Sequence, residues 1–144
     1  MIIKQLSVFL ENKKGRLAAV MRTLADQGID VSALSLADTT DFGVLRLIVN
    51  RPEEGKRALQ ESGVTVKITD MVAVVMEDAP GGAAAAISLL AEHDIPIEYM
   101  YACVGRVSGK ALMVARVEEP ERAEALLRAH QATVLSPDEI YRIG

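Results

Sequence analysis

The sequence has few of the residues that usually build reactive sites or aromatic cores. It contains no tryptophan, two phenylalanines, three tyrosines, two histidines and one cysteine, Cys103. A single cysteine cannot form an internal disulfide, which favours a reducing compartment and predicts a cytoplasmic protein. No hydrophobic run approaches the roughly 20 residues of a membrane helix, and the first residues lack the apolar stretch of a signal peptide. We therefore expect no membrane partner.

Neither sign of charge dominates. The 16 Lys and Arg residues are balanced by 20 Asp and Glu residues, for a net charge of −4 and no basic run. Because phosphate backbones require clustered basic side chains, we expect no nucleic-acid partner. The 144 residues, half of them hydrophobic and a quarter charged, are typical of one globular domain or two very small ones.

The sequence contains an internal repeat. The segment from Phe9 to Leu17 resembles the segment from Val75 to Ala83, 66 positions later, and places Gly81 where the first copy has Gly15. Behind each glycine, apolar residues recur at the spacing of one buried helical face. These residues are Leu17, Val20, Met21 and Leu24 in the first copy and Ala83, Ala86, Ile87 and Leu90 in the second.

The repeat continues beyond this helix. Gly28 stands where a residue in the left-handed conformation is expected to end the first helix. The residue 66 positions later is Asp94, and aspartate is one of the types that tolerate that conformation. After the next hairpin we expect a spacing of 67, which pairs Leu45 with Leu112 and Leu59 with Leu126 through a one-residue change in the turn.

Each copy predicts the order strand, helix, strand, strand, helix, strand. This order predicts an α+β protein of two ferredoxin-like βαββαβ units, residues 1–70 and 71–144, each an antiparallel sheet with helices on one face. The strands are predicted at residues 5–10, 31–37, 42–50 and 64–69, then at 71–76, 97–104, 110–117 and 133–140. The helices are predicted at 15–27, 52–62, 81–92 and 119–130.

Residues of catalytic type form no recognisable constellation. His93 and His130 fall at predicted helix ends, where surface histidines are common, and Cys103 lies in an apolar strand without a neighbouring histidine. No His or Cys spacing is typical of zinc. The segment 105–111 resembles a phosphate-binding loop but is one residue short, and Ala111 replaces the metal-holding hydroxyl. We expect a protein that is not an enzyme, with no catalytic residues, no metal and no cofactor.

A polar turn recurs between the first strand and the first helix of each copy. Asn12 precedes Gly15 in one turn, and Asp78 precedes Gly81 in the other. Unpaired N–H groups at a helix start attract a carboxylate, and the Asn12 or Asp78 oxygen could accept a hydrogen bond from an ammonium group. Together these preferences fit an amino-acid zwitterion. Capping of the helix by the same two side chains is the alternative.

At these residues the sequence resembles the ACT domain family, regulatory small-molecule-binding modules of amino-acid metabolism. The loops 12–17 and 78–81 and the strand starts 27–31 and 93–97 match that family. Lys14 departs from its usual proline, and Asp30 and Pro96 depart from its usual asparagine, which leaves the ligand and the number of working sites open. The resemblance covers the chain twice, as in stand-alone tandem ACT-domain proteins. It implies a non-catalytic regulatory protein that binds an amino acid.

The resemblance also implies a ligand site between the loop of one unit and the second strand of a neighbouring unit. The positions carried over are Asn12, Gly15, Arg16, Val31, Ser32, Asp78, Gly81, Gly82, Ile97 and Glu98. We expect a homo-oligomer, with a homodimer as its form, because the second strand of such a unit is an unpaired edge.

Two other functions fit the same sequence. One is a protein-interaction subunit of an amino-acid biosynthetic enzyme, with a degenerate pocket. The other is a hydrolase that clamps phosphate with Arg16, but this function needs a second polar group and the neighbouring strand offers only Ser32.

Overall fold

The computed structural model describes residues 2–11, 13–38, 41–77, 79–103 and 109–143. The chain folds as two compact units. The first unit is Lys4–Thr69, and the second unit is Asp70–Gly144 together with Met1–Ile3. Asn12, Asp78 and most of the predicted turn at 105–109 lie outside the described residues.

The first unit has a sheet backed by two helices. Its elements are β1 (Ile3–Glu11), α1 (Arg16–Asp26), β2 (Val31–Asp38), β3 (Phe42–Val49), α2 (Pro52–Glu61) and the beginning of β4 (Thr65–Glu77). The strand order is β2-β3-β1-β4, and β3 is antiparallel to both β1 and β2. Ser7 Oγ lies 3.0 Å from Thr69 Oγ1, across the β1–β4 pair.

The second unit repeats this plan. Its elements are the remainder of β4, then α3 (Gly82–Glu92), β5 (Ile97–Cys103), β6 (Lys110–Val117), α4 (Pro120–Ala129), β7 (Thr133–Val134) and α5 (Pro137–Ile143). The strand order is β7-β4-β6-β5, and every pair is antiparallel. In each unit the first strand lies between the third and the fourth. The predicted α+β class and the two ferredoxin-like units are confirmed.

A separate apolar core stabilises each unit. In the first unit, alternate residues of β1 and β3 pack against α1 and α2; the buried members are Leu6, Val8, Leu10, Val20, Leu24, Ile29, Leu45, Leu47, Val49, Leu59 and Val66. In the second unit the buried members are Val72, Leu90, Ile95, Val117, Ala123, Leu127 and Val134. The predicted helix faces are wrong at Leu17, Ala83 and Ile87, which are exposed. In α3 the residue that packs against the core is Leu89 rather than Ile87, and Leu17 lines a small pocket with Leu36.

The strand registers correct the predicted spacing of the repeat. Glu11 pairs with Phe42 in the first sheet, and Glu77 pairs with Lys110 in the second. Glu77 follows Glu11 by 66 positions, whereas Lys110 follows Phe42 by 68. The predicted spacing of 67 is therefore wrong, because the hairpin of the second unit is two residues longer. Leu59 corresponds to Leu127, and both side chains are buried.

Left-handed residues fall at equivalent positions in both units. Gly28 has φ 68° and Asp94 has φ 58°, which confirms the predicted helix end at Asp94. Beyond the hairpin, Gly63 with φ 85° corresponds to Gln131 with φ 65°, 68 positions later. The spacings of 66 before the hairpin and 68 after it therefore match residues by backbone conformation as well as by side-chain type.

An arginine holds the end of the first helix in each unit, although its position in the chain differs. Arg51 Nη2 donates to the carbonyl oxygens of Gln27 and Gly28 at 2.7 and 2.8 Å, while Arg51 Nη1 pairs with Glu54. In the second unit the charges are exchanged: Glu119 stands at the position of Arg51, and Arg122 donates to it and, at 2.9 Å, to the His93 carbonyl. Both units therefore keep an arginine side chain at the end of their first helix, although the arginine precedes its glutamate in the first unit and follows it in the second.

Three predicted strands differ from the structure. Those at 64–69 and 71–76 form one strand, β4, and the one at 133–140 ends after Val134. Pro137 has no N–H for a strand ladder, and Ser136 and Glu139 form a capping box: Ser136 N–H donates to Glu139 Oε1 at 3.0 Å, and Glu139 N–H donates to Ser136 Oγ at 3.4 Å. These residues begin α5, and their spacing is a recognisable helix start.

Glu124 on α4 is an acidic side chain in a buried position. Only 7% of its side chain is exposed, and its Oε2 has no hydrogen-bond partner among the described residues. Burial raises the pKa of Glu124 above its ordinary value, although Arg128, 3.6 Å away, opposes the shift. The folded state therefore favours the protonated form of Glu124 more than the unfolded chain does.

We expect Glu124→Gln to stabilise the protein at neutral pH by about 1 kcal/mol, or about 3 °C in Tm. Because the folded pKa of Glu124 is raised, the stability carried by its protonated form is present at acid pH and lost as pH rises through that pKa. The gain should therefore shrink as pH falls through the raised pKa of Glu124 and vanish below pH 4.5, the ordinary pKa of the group. Thermal unfolding of the variant and the wild type at several pH values measures this gain in stability. Glu118→Gln is the control, because Glu118 is exposed. An equal effect of both variants at every pH would contradict the burial argument.

Candidate functional site

The two predicted glycines begin the first helix of each unit with the same backbone geometry. Gly15 (φ 88°, ψ −9°) and Gly81 (φ 89°, ψ −9°) are left-handed N-cap residues, and no described side chain caps either helix. The preceding turn is closed alike in both units, from Arg16 N–H to the Lys13 carbonyl and from Gly82 N–H to the Ala79 carbonyl. Since Asn12 and Asp78 lie outside the described residues, their roles in binding or capping stay predictions.

The residue after each N-cap distinguishes the units. A Cβ atom at Gly82 would overlap the carbonyl oxygen of Glu77, so the loop before α3 requires glycine there. The equivalent position in the first unit, 66 residues earlier, is Arg16, which carries a long side chain. The second unit consequently lacks a side chain at the place that Arg16 fills in the first.

We expect Gly82→Ala to destabilise the protein by about 3 kcal/mol, since its Cβ meets a fixed backbone oxygen. Gly81→Ala should cost only about 1–2 kcal/mol, the strain of a left-handed alanine, because nothing lies within 4 Å of its Cβ. Urea unfolding of both variants measures the difference. Equal costs would show that the backbone relaxes away from Glu77.

The space beside Gly82 belongs to a cavity of about 620 Å³ in the second unit. The end of β4, the loop 79–82, both helices and residues 130–133 enclose it. Its apolar wall consists of Ala85, Ala86, Leu89 and Leu127. Its polar lining consists of Glu77, Lys110, His130, Gln131 and Thr133.

The first unit has a smaller cavity, of about 230 Å³, at the same place. Its lining consists of Phe9, Leu10, Glu11, Arg16, Phe42, Gly63, Val64 and Thr65. With spacings of 66 before the hairpin and 68 after it, every one of these corresponds to a residue of the larger cavity: Val75, Met76, Glu77, Gly82, Lys110, Gln131, Ala132 and Thr133.

Six of these eight pairs differ in side chain. Three exchanges replace a larger side chain of the first unit by a smaller one: Phe9 by Val75, Arg16 by Gly82 and Val64 by Ala132. Gly63 is replaced by the larger Gln131, and the two remaining exchanges, Leu10 to Met76 and Phe42 to Lys110, change shape or charge. The same crevice is therefore largely filled in the first unit and open in the second.

Opposite charges meet at the rim of both crevices. Lys110 forms an ion pair with Glu77 across β4 and β6. In the first unit Lys13 lies 2.9 Å from Glu11, and its hydrogen bond and charge, with the charge of Arg16, lower the pKa of Glu11. Only the second unit combines such an ion pair with a large open cavity.

The remaining predicted residues lie elsewhere in their own units. Val31 pairs with Val49 at the end of the first sheet opposite to the Glu11–Phe42 pair, so Val31 and Ser32 are remote from Gly15 and Arg16 within the unit. In the second unit Ile97 lines an open pocket with Asp94–Pro96.

Glu98 pairs with Arg116 at 3.3 Å. Because Ile97 pairs with Val117 at the end of the sheet opposite to the Glu77–Lys110 pair, these residues are also remote from Gly81 and Gly82 within the unit. That the two sets meet between neighbouring units stays a prediction.

Sequence reasoning missed Lys110, His130 and Gln131 as cavity residues. The register of β4 and β6 places Lys110 opposite Glu77, and this register depends on the length of the hairpin, which the sequence analysis underestimated by one residue. Within the described ranges, no group of three or more His, Cys, Asp or Glu residues is placed to hold a metal ion. None of the helices described is long and apolar enough to cross a lipid bilayer.

Comparison with known proteins gives matches over nearly the whole chain. Residues 1–142 match the model of a family described as ACT domain pair. A protein from Bacteroides thetaiotaomicron is 36% identical, with a TM-score of 0.92 over 99% of this chain and 98% of that one. No protein with a curated description matches the sequence.

Two regulatory subunits of aspartate kinase share the fold. The subunit from Thermus thermophilus has a TM-score of 0.64 at 20% identity, covering 91% of both chains. The subunit from Thermus flavus has a TM-score of 0.64 at 21% identity, covering 91% of this chain and 93% of that one.

Proposed function

Because the chain belongs to the ACT domain pair family, we propose that it is a non-catalytic regulatory protein that binds an amino acid, and that the cavity of the second unit holds the ligand. The observation that carries the proposal is the contrast between two equivalent crevices, about 620 Å³ in the second unit and 230 Å³ in the first. A volume of this size is typical of small-molecule sites.

The lining of the larger cavity suits the parts of an amino acid. The Glu77 carboxylate can accept hydrogen bonds from the ligand ammonium group, and the Lys110 ammonium can pair with the ligand carboxylate. The amides at the start of α3 also favour an anion. Ala85, Ala86 and Leu89 offer an apolar surface to the ligand side chain.

Ligand binding should raise the unfolding temperature by mass action. We expect a thermal-shift screen of the standard amino acids to identify at least one binder, with an apolar side chain, and isothermal titration to give one site per chain. Val75→Phe enlarges a side chain that lines the cavity to that of Phe9 in the first unit and should weaken binding at least about tenfold. Phe9→Val, the reverse exchange in the first unit, is the matched control and should leave the affinity unchanged.

The same titration decides between the sites. If Phe9→Val and not Val75→Phe changes the affinity, the ligand site lies in the first unit. Asp78→Ala and Asn12→Ala test the loops in the same way, and a loss only in Asp78→Ala supports the second unit. Absence of any response from folded wild-type protein would contradict amino-acid binding.

The first unit favours a second role, as a docking surface. Among the described residues, five of the six exposed large apolar side chains belong to it: Leu17, Leu34 and Leu36, and, on the other face of the sheet, Phe9 and Phe42. Exposed apolar side chains of this size are typical of protein interfaces. The proposed occupants are a second copy, giving a homodimer in the cytoplasm, or an amino-acid biosynthetic enzyme that the protein regulates. Light scattering of the purified protein measures its oligomeric state.

A further inference from the structure

The two histidines of the chain lie together on the surface of the second unit. Arg122 at the start of α4 donates to the carbonyl of His93 at the end of α3, so the two helices are antiparallel. Each imidazole lies back along its own helix, and the ring centroids of His93 and His130 are 5.6 Å apart at an interplanar angle of 65°. Both side chains are exposed.

The hydrogen bonds fix the same tautomer in both rings. His93 Nδ1 lies 3.0 Å from the Leu89 carbonyl oxygen, and His130 Nδ1 lies 3.1 Å from that of Leu126. Since a carbonyl can only accept, each Nδ1 carries the proton, and each Nε2 keeps its lone pair. A histidine whose other ring nitrogen donates to a backbone carbonyl has the second-sphere arrangement typical of metal ligands.

We propose that His93 and His130 form a two-histidine site for a divalent transition-metal ion of the zinc, nickel or copper type, with water in the remaining positions. Imidazole is the ligand that these ions share. With metal–nitrogen bonds of about 2.1 Å, two imidazoles at a tetrahedral angle have centroids about 5.3 Å apart. The observed separation of 5.6 Å differs from this by a few tenths of an ångström.

The site is specific to the second unit. The equivalent positions in the first unit are Gln27 and Ser62, and Ser62 Oγ also donates to the carbonyl four residues earlier, at 3.0 Å. Because Leu89 and His130 line the large cavity, an ion between the histidines would join the two helices that enclose it. The metal site does not depend on the identity of the amino-acid ligand.

The test uses protein without a polyhistidine tag, titrated with Ni²⁺ by calorimetry. We expect one ion per chain. His93→Gln and His130→Gln should each weaken binding about 100-fold, because the second histidine binds intramolecularly, and the double variant should lose the remaining weak binding as well. Asp94→Asn, beside His93, is the control and should stay within about threefold of wild type.

Two results would overturn the site: two independent weak ions per chain, or single variants with unchanged affinity. A loss in Asp94→Asn as large as in the histidine variants would also overturn it. If a variant fails to fold, the Cu²⁺ complex of the wild-type protein tests the site instead. Electron spin echo spectroscopy of that complex detects the remote nitrogen of each imidazole bound to Cu²⁺. Two bound imidazoles would support the proposal, and one would contradict it.

Discussion

The close approach of the Gly82 backbone to the carbonyl oxygen of Glu77 is the constraint on which the candidate site depends. It forces glycine at the first residue of α3, directly after the left-handed Gly81. The helix therefore starts without a side chain facing the end of β4. The second unit therefore has no side chain at the place that Arg16 occupies in the first, and Gly82 lines the cavity instead.

The repeat shows which differences accompany the larger cavity of the second unit, because each unit serves as a reference for the other. Both units share the sheet order, the turn before the first helix and the left-handed residues that follow each helix. They differ at the crevice, where Phe9 and Arg16 are replaced by Val75 and Gly82. Since the backbone plan is common, the difference in volume follows from side chains. A duplicated fold can thus keep one copy packed while the other gains space for a ligand.

Most of the fold was predictable from the sequence, because helix periodicity and the glycine-bearing turns are local signals. The error in spacing after the hairpin came from matching Leu59 to Leu126 rather than to Leu127, which are adjacent leucines of one helix. Strand register decides between them, and register depends on pairing between distant segments. The end of β7 was a different error: the local Ser136–Glu139 signal was present, but the repeated order of elements favoured a long fourth strand there.

The candidate site was predictable only in part, for a physical reason. Gly81 and Gly82 could be found because a helix start has a sequence signature. Lys110 and His130 could not, because they reach the cavity from β6 and the end of α4, and their positions depend on the length of the intervening hairpin. The exchange of Arg51 and Glu54 for Glu119 and Arg122 shows the same principle. What the fold requires is a guanidinium at a particular carbonyl, and two different chain positions can supply it, so a residue-by-residue comparison of the repeats does not find it. The candidate site of the second unit therefore depends on which side chains meet in space, and the cavity and the histidine pair both arise where the two repeats agree in backbone and differ in side chain.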